Sequence, residues 1–164
     1  MRLRMEERAA ELLSTPEHRL FAHGGCHVFA ITLSAISGLP LLWVTENGSN
    51  HDHIGCAPYE EKFLDVFGTF SRSDYIRAKI LENRLIEFRS PTVAETERRF
   101  VMVRGPGYYA HPNFVRAARL RAERWIADHR DYFDGKRPIP IPGLARVERA
   151  SDLECDALFD KRGA

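Results

Sequence analysis

The chain carries a cysteine, a histidine and an aspartate in the order and spacing of an activated thiol. Cys26 follows the pair Gly24-Gly25 and precedes an apolar, helix-like run. A thiol at the start of a helix is favoured as the thiolate, because unpaired N–H groups and the helix dipole stabilise negative charge there. His53 and Asp65 are of the types that serve as the base and as the group that orients the base. This combination predicts nucleophilic catalysis by cysteine.

Spacing favours His53 over His51 as the base. In a strand these two side chains point to the same face, because they lie two residues apart. If the loop to the next strand has an odd number of residues, His53 and Asp65 lie directly opposite each other on adjacent strands, and Asp65 reaches the imidazole nitrogen that faces away from the thiol. His51 would pair near Phe67, with no carboxylate facing it. We therefore assign His51 to the substrate side of the site.

The site also needs an oxyanion donor and contacts to its substrate. The backbone N–H of Cys26 can supply one donor. Gly25 is a candidate substrate-binding residue, because a glycine lets the backbone come close to a ligand. Trp43 is most simply a core residue, and a wall of the substrate pocket is the alternative interpretation.

The patterning predicts an α+β fold. A helix over residues 26–37 has apolar residues nearly all round, as a central core helix does, and Gly38 and Pro40 end it. We expect this helix to carry Cys26 and to pack on a small antiparallel sheet, with extra helices from the C-terminal half.

The other predicted elements are assigned from periodicity, caps and turn residues. Strands are predicted at 41–45, 51–56, 62–67 and 100–103, with turns at 47–48 and 58–61. Helices are predicted at 2–14, from Ser73 to about Ile86, and from a cap at Asn113 to about Phe133. Residues 138–143 form a proline-rich extended segment. We expect a single domain over residues 1–147 and a tail over residues 148–164.

Composition narrows the function classes. The chain has 164 residues and a formal net charge of +1, so no strong field draws it to nucleic acid or to a membrane surface. No stretch is apolar enough to span a bilayer, and the charged N-terminus does not look like a signal peptide. Three cysteines are too few and too oddly numbered for a disulfide framework, which favours a cytoplasmic compartment. Delivery into another cell by a route without such a signal would leave no mark in the sequence. No cofactor is expected.

The residues around the thiol resemble a known family group. Gly24-Gly25-Cys26-His27-x-Phe29-Ala30, then His53, then Leu64-Asp65-Val66-x-Gly68, is similar to the papain-like cysteine protease fold in its transglutaminase-like and bacterial cell-wall-peptidase branches. The similarity covers roughly residues 20–70. It implies acyl chemistry on a protein or peptide substrate: peptide cleavage, side-chain deamidation or amide transfer.

This chain departs from papain at several positions. No glutamine lies in the short stretch before Cys26, so the second oxyanion donor is unassigned, with His23 or a loop amide as candidates. The orienting group is an aspartate rather than an asparagine. His27 follows the nucleophile where papain has an aromatic residue, and we interpret it as a structural histidine.

Two other function classes are open. The first is a small zinc-binding protein, since structural zinc takes four cysteine or histidine ligands. The potential ligands are Cys26, His27, His51, His53 and Cys56. Their spacing does not give the usual two pairs, so no metal is expected. The second is a non-enzymatic interaction module on the same scaffold. Its contacts would come from the loop 105–109 or from the arginines between residues 116 and 130, although acidic residues interrupt that basic face.

Overall fold

The computed structural model describes residues 2–46, 52–58, 61–73, 86–104 and 111–133. Within these ranges the protein is an α+β fold of five α-helices and one five-stranded antiparallel sheet. The helices are α1 (Arg2–Ser14), α2 (Glu17–His23), α3 (Cys26–Ser37), α4 (Val93–Arg104) and α5 (Pro112–Asp128), followed by a short 3₁₀ helix (Arg130–Tyr132). The strands are β1 (Leu41–Glu46), β2 (Asp52–Cys56), β3 (Lys62–Asp65), β4 (Gly68–Ser71) and β5 (Ile86–Arg89).

Helix α3 is the centre of the fold, as its sequence predicts. It packs on β2 on one side and on α5 on another, and most of its side chains are buried. Gly38 ends the helix in the left-handed region with φ of 72°, which a glycine adopts without strain. The main core lies around α3; the largest side chains in it that are fully buried are Leu20, Phe21, Phe29, Leu33, Ile54, Leu64 and Phe114.

The sheet has the order β4-β3-β2-β1-β5, and every neighbouring pair is antiparallel. The central pair, β1 and β2, is in register over five residues, with Val44 opposite His53. Strands β3 and β4 form a tight hairpin in which Asp65 pairs with Gly68. Gly68 has φ of 99°, a backbone conformation that residues other than glycine rarely adopt. The hairpin therefore fixes the position of Asp65 at the end of β3.

The strand predicted at residues 100–103 is wrong, because these residues belong to helix α4. The cause is a capping box just upstream. The Thr92 N–H donates to Glu95 Oε2 at 2.8 Å, and the Glu95 N–H donates to Thr92 Oγ1 at 3.2 Å. This reciprocal pair satisfies free donors at the helix start, and it outweighs the strand preference of the run that follows Arg99. A helix therefore lies where the sequence predicts a strand.

Several smaller expectations also change. Helix α5 is capped at His111, with Pro112 in its first turn, and not at Asn113; proline is favoured there because the first-turn N–H has no helical partner. Ile86, predicted as a helix end, is the first residue of β5. Strand β4 and helix α2 were not predicted. The predictions for residues 47–48, 59–60, 74–85, 105–109 and 134–164 lie outside the described residues, and with them the boundary at residue 147 and the tail.

A second polar cluster lies away from the sheet, and we call it the α1–α2 clamp. Arg121 on α5 donates to Glu17 Oε1, to the Leu13 carbonyl oxygen at 2.6 Å and to the Thr15 carbonyl oxygen at 2.7 Å. The closest guanidinium–carboxylate distance is 2.8 Å. The clamp fixes the corner between α1 and α2, and thereby the approach of the chain to Cys26.

Among the described residues, no helix has the length and apolar character needed to cross a membrane.

Candidate active site

The glycine loop sets Cys26 at the first position of α3. The Gly25 N–H donates to the Leu20 carbonyl oxygen at 2.8 Å, which folds the chain back tightly after α2. A Cβ on Gly25 would lie 3.0 Å from Phe21 Cδ1 and 3.2 Å from the Leu20 carbonyl oxygen, so a larger residue would crowd α2. Gly25, the N-cap residue, has no side chain to cap the helix. The first-turn N–H groups of α3, including that of Cys26, therefore have no intrahelical partner.

His53 and Asp65 form the best-defined polar contact of the site. His53 Nε2 lies 2.9 Å from Asp65 Oδ2, and their side chains are 22% and 10% exposed. The other carboxylate oxygen, Oδ1, accepts the Phe67 N–H at 2.8 Å. One carboxylate thus orients the imidazole while the hairpin turn holds the carboxylate. Because Nε2 is engaged by Asp65, the second ring nitrogen is left for the thiol.

The predicted register between these two residues is wrong by two residues. Cys56 pairs with Leu64, which places Asp65 beside Gly55 and not directly opposite His53. The contact between His53 and Asp65 is therefore diagonal. Diagonal neighbours on adjacent strands lie farther apart than direct pairs but stay within reach of longer side chains. The pairing of the two residues is as the sequence predicts, and its geometry is different.

Gly55 makes this diagonal contact possible. A Cβ built on Gly55 would lie 2.3 Å from the Leu64 carbonyl oxygen and 2.8 Å from Phe63 Cζ. Since that oxygen belongs to the backbone, it cannot move aside without moving β3. The missing side chain lets β3 approach β2 closely, as glycine within a strand often does. The Phe63 ring also contacts the His53 ring, with 5.6 Å between centroids.

Cys26 and His53 change each other's protonation. Burial raises the pKa of the Cys26 thiol, but hydrogen bonds with His27 and His53 outweigh it and lower the pKa from 9.0 to about 6. Burial also lowers the pKa of His53, yet its hydrogen bonds with Asp65 and with the thiol raise it from 6.5 to about 10. Both shifts favour a thiolate beside an imidazolium over the neutral pair. This is the protonation state from which a cysteine nucleophile attacks.

His27 is a second imidazole at the thiol. It is 5% exposed and helps to lower the pKa of the Cys26 thiol, and its ring stacks on Phe100 of α4 with 4.3 Å between centroids and an interplanar angle of 20°. Phe100 packs in turn on Trp43, with 5.5 Å between centroids. Sequence reasoning missed these contacts, because it took His27 as structural and placed Phe100 in a strand. The adjacency of His27 to Cys26 was the available signal.

Cys56 is a contrasting thiol in the same core. Its Sγ–H donates to the Ala30 carbonyl oxygen at 3.5 Å, and burial raises its pKa to about 12. It therefore stays protonated, which suits neither a nucleophile nor a metal ligand. Within the described ranges, no three histidine, cysteine, aspartate or glutamate side chains form a group that could hold a metal ion. His51, part of the zinc hypothesis, lies outside those ranges.

The assigned substrate-side residues are placed unevenly. Gly25 lies next to the nucleophile, at the start of α3. Trp43 is 4% exposed, and Arg99 of α4 lies over its ring at 5.0 Å, so it is a core residue in this structure. The side chain of His23 and the whole of His51 fall outside the described part.

Comparisons with known proteins add no relationship. A scan of protein-family models, a search of curated proteins and a search of solved structures each returned no match to this chain.

Proposed function

We propose that this protein is a thiol-dependent acyl-transfer enzyme that hydrolyses a peptide or side-chain amide bond. The observation that carries the proposal is the position of His53, whose Nε2 lies 2.9 Å from Asp65 Oδ2 and whose imidazole and the Cys26 thiol shift each other's pKa. A nucleophile, a base and an orienting group are thereby connected in one chain of contacts. The placement of the thiol at the start of a central helix, with the other two residues on β2 and β3, also supports assignment to the papain-like fold.

In the first half-reaction the Cys26 thiolate attacks the carbonyl carbon of the amide, and the carbonyl π electrons move to oxygen. The Cys26 backbone N–H stabilises the oxyanion. When the tetrahedral intermediate collapses, the C–N bond breaks and His53 gives its proton to the leaving amine. The product is a thioester on Cys26 and neutral His53, still held by Asp65.

In the second half-reaction neutral His53 takes a proton from water, which attacks the thioester. The C–S bond breaks, the carboxylic acid leaves, and the thiolate–imidazolium pair returns. An amine in place of water would give amide transfer by the same steps. The expected substrate is a protein or peptide, with no cofactor, and a reducing, cytoplasmic-type compartment suits a catalytic thiol.

The decisive experiment is the pH dependence of Cys26 alkylation by iodoacetamide, followed by mass spectrometry. A thiolate–imidazolium pair predicts reaction at Cys26 that persists down to about pH 6, well below the ordinary thiol value of 9.0. In His53→Ala the midpoint should move upward. In the same sample Cys56 should stay unreacted, because burial raises its pKa to about 12, and a small free thiol gives the ordinary profile.

Alkylation of Cys26 with an ordinary thiol profile would reject the catalytic proposal. The interaction-module alternative would then be the better one, and it predicts that Cys26→Ala is silent in every functional assay. Stoichiometric metal on the purified protein, with unfolding by chelator, would instead support the zinc alternative.

A further inference from the structure

A row of ring contacts leads from the residue beside the nucleophile to the surface of α4. His27 follows Cys26 directly, and its ring stacks on Phe100 with 4.3 Å between centroids. Phe100 contacts Trp43 at 5.5 Å, and the guanidinium carbon of Arg99 lies 5.0 Å from the centre of the Trp43 ring. The three rings are at most 6% exposed, whereas Arg99 is exposed. The row therefore ends in a positive charge that a substrate can reach.

This guanidinium lies at the border of the candidate active site. Helix α4, which carries Arg99, packs on α3. Cys26, Trp43 and Phe100 belong to one contiguous cluster of buried side chains. The indole that Arg99 covers is thus part of the same cluster as the thiol, and a substrate that approaches Cys26 from the side of α4 passes the guanidinium.

The contact with Trp43 holds the guanidinium in a form suited to a planar anion. A guanidinium over an aromatic ring keeps its charge, and the N–H donors at its edge form a rigid fork that matches a carboxylate. Arg89, the strand partner of Trp43, is placed differently, because its Nη2 lies 2.9 Å from Glu95 Oε1. Of these two arginines beside Trp43, one is paired with a carboxylate of the protein and the other is held by a ring.

Trp43 also has a hydrogen-bond donor in search of an acceptor. Its Nε1–H is buried, and none of the described residues accepts a hydrogen bond from it. Buried donors without an acceptor are rare in folded proteins, because the lost hydration is not replaced. An oxygen of a bound substrate at the edge of the indole would supply the acceptor.

We propose that Arg99 is a specificity-determining residue that binds a carboxylate of the substrate beside Trp43. The inference rests on the proposed function and narrows its substrate class to peptides or amides with an acidic side chain close to the reacting carbonyl. The guanidinium donates to the carboxylate oxygens. Charge-assisted hydrogen bonds are about twice as strong as neutral ones, so a carboxamide in the same place binds less well.

The test uses two acylating esters that differ in one group. They are the α-(p-nitrophenyl) esters of N-benzyloxycarbonyl-glutamic acid and of N-benzyloxycarbonyl-glutamine, which share the reacting carbonyl and the leaving group. The ratio of their second-order acylation rates at one pH therefore reports recognition of the carboxylate. Full-length wild-type protein should prefer the glutamic acid ester by about 10-fold. Release of p-nitrophenolate gives the rates, and Cys26→Ala gives the background.

Substitutions at Arg99 should change this ratio in a set order. Arg99→Lys keeps the charge without the fork and should retain part of the preference. Arg99→Gln should abolish the preference, and Arg99→Glu should reverse it by like-charge repulsion. The matched control is Arg98→Gln, one residue earlier on α4, where an exposed arginine donates from Nε to the Ala94 carbonyl oxygen at 3.2 Å. It should keep the wild-type ratio, and circular dichroism verifies that each variant is folded.

Equal rates for the two esters in the wild type, with both acylating Cys26, would overturn the inference and leave the proposed function standing. A preference that persists in folded Arg99→Gln would also overturn it, as would an equal loss in Arg98→Gln, because the charge recognised would not be that of Arg99. If neither ester acylates Cys26, the proposed function fails, and the inference fails with it.

Discussion

Two partly buried polar clusters in this protein differ in the kind of group that they hold. The site joins Cys26, His53 and Asp65, and the α1–α2 clamp joins Arg121 to Glu17 and two carbonyl oxygens. In the clamp a guanidinium, a group that is always charged in proteins, has an acceptor for each of its three hydrogen bonds. In the site, by contrast, a proton is shared between a thiol and an imidazole. The pKa of the thiol is lowered and that of the imidazole is raised, so that their usual order is reversed.

The two clusters consequently respond to pH in different ranges. The stability gained from Cys26 is fully present above its ordinary pKa of 9.0 and is lost as the pH falls through about 6. The stability gained from His53 is fully present below 6.5 and is lost as the pH rises through about 10. The clamp has no group that titrates in this window. A polar cluster with fixed charge holds the fold, whereas one with movable protons is suited to chemistry.

The largest effect expected from breaking either cluster is loss of reactivity in Cys26→Ala. Without the nucleophile, acylation by p-nitrophenyl acetate should fall by about 10³-fold or more. Thermal unfolding verifies that the variant is folded, and some loss of stability is expected because His53 loses the thiol that raises its pKa. The matched control is Cys56→Ala, which removes a buried thiol that stays protonated and should keep the acylation rate. Full acylation in Cys26→Ala would remove this residue from the site.

The next largest effect is expected from Gly55→Ala, which should change the geometry of the site by changing the spacing of β2 and β3. The new methyl group would meet the Leu64 carbonyl oxygen and push β3 away from β2. We expect destabilisation of about 1–3 kcal/mol from this overpacking.

Separation of Asp65 from His53 should also change the pH dependence of Cys26 alkylation in Gly55→Ala. Its midpoint should lie close to that of Asp65→Asn, which removes the charge of the carboxylate. Denaturant unfolding and iodoacetamide kinetics measure the two effects. A folded Gly55→Ala with a wild-type profile would mean that the diagonal contact does not depend on the close approach of the strands.

Some features of this site could be predicted from the sequence and others could not. Local signals were sufficient for α3, for its end at Gly38 and for the presence of His53 and Asp65 on neighbouring strands. The diagonal register was not accessible, because it depends on β3 crossing close to Gly55, a tertiary contact. Strand β5 was missed although Ile86-Glu87-Phe88-Arg89 alternates apolar and charged residues, because the helix predicted from Ser73 was extended to Ile86. The misassignment of residues 100–103 to a strand was avoidable, because Thr92 and Glu95 have the residue types and spacing of a capping box.

The clamp should give the opposite result to the site: loss of stability without loss of reactivity. Arg121→Met leaves the Leu13 and Thr15 carbonyl oxygens and the Glu17 carboxylate without this donor, and should destabilise the fold by about 1–2 kcal/mol, because the cluster is partly open to water. The matched control is Arg119→Met on the same helix. It removes a surface ion pair with Glu123, whose two side chains are 65% and 42% exposed, and should cost at most about 0.5 kcal/mol.

Urea unfolding measures both arginine variants, and Cys26 alkylation is followed in parallel. A clear change of the alkylation profile in folded Arg121→Met would show that the corner between α1 and α2 positions the thiol. The two clusters would then not be independent.

The smallest expected effect is the acid response of the clamp, read in Glu17→Gln. Burial raises the pKa of Glu17, but the hydrogen bond and charge of Arg121 outweigh it and hold the pKa below 4.5. A lowered folded-state pKa means that the contribution to stability is present above 4.5 and is lost as the pH falls through the folded value. Glu17→Gln should therefore flatten the loss of stability below pH 4.5 and leave the profile between pH 7 and 10 unchanged, which lies above the range in which the neighbouring His18 titrates. Urea unfolding at a series of pH values measures this. If Glu17→Gln alters the neutral range instead, the titration of the clamp is coupled to that of Cys26 and His53, and the separation of the two clusters is wrong.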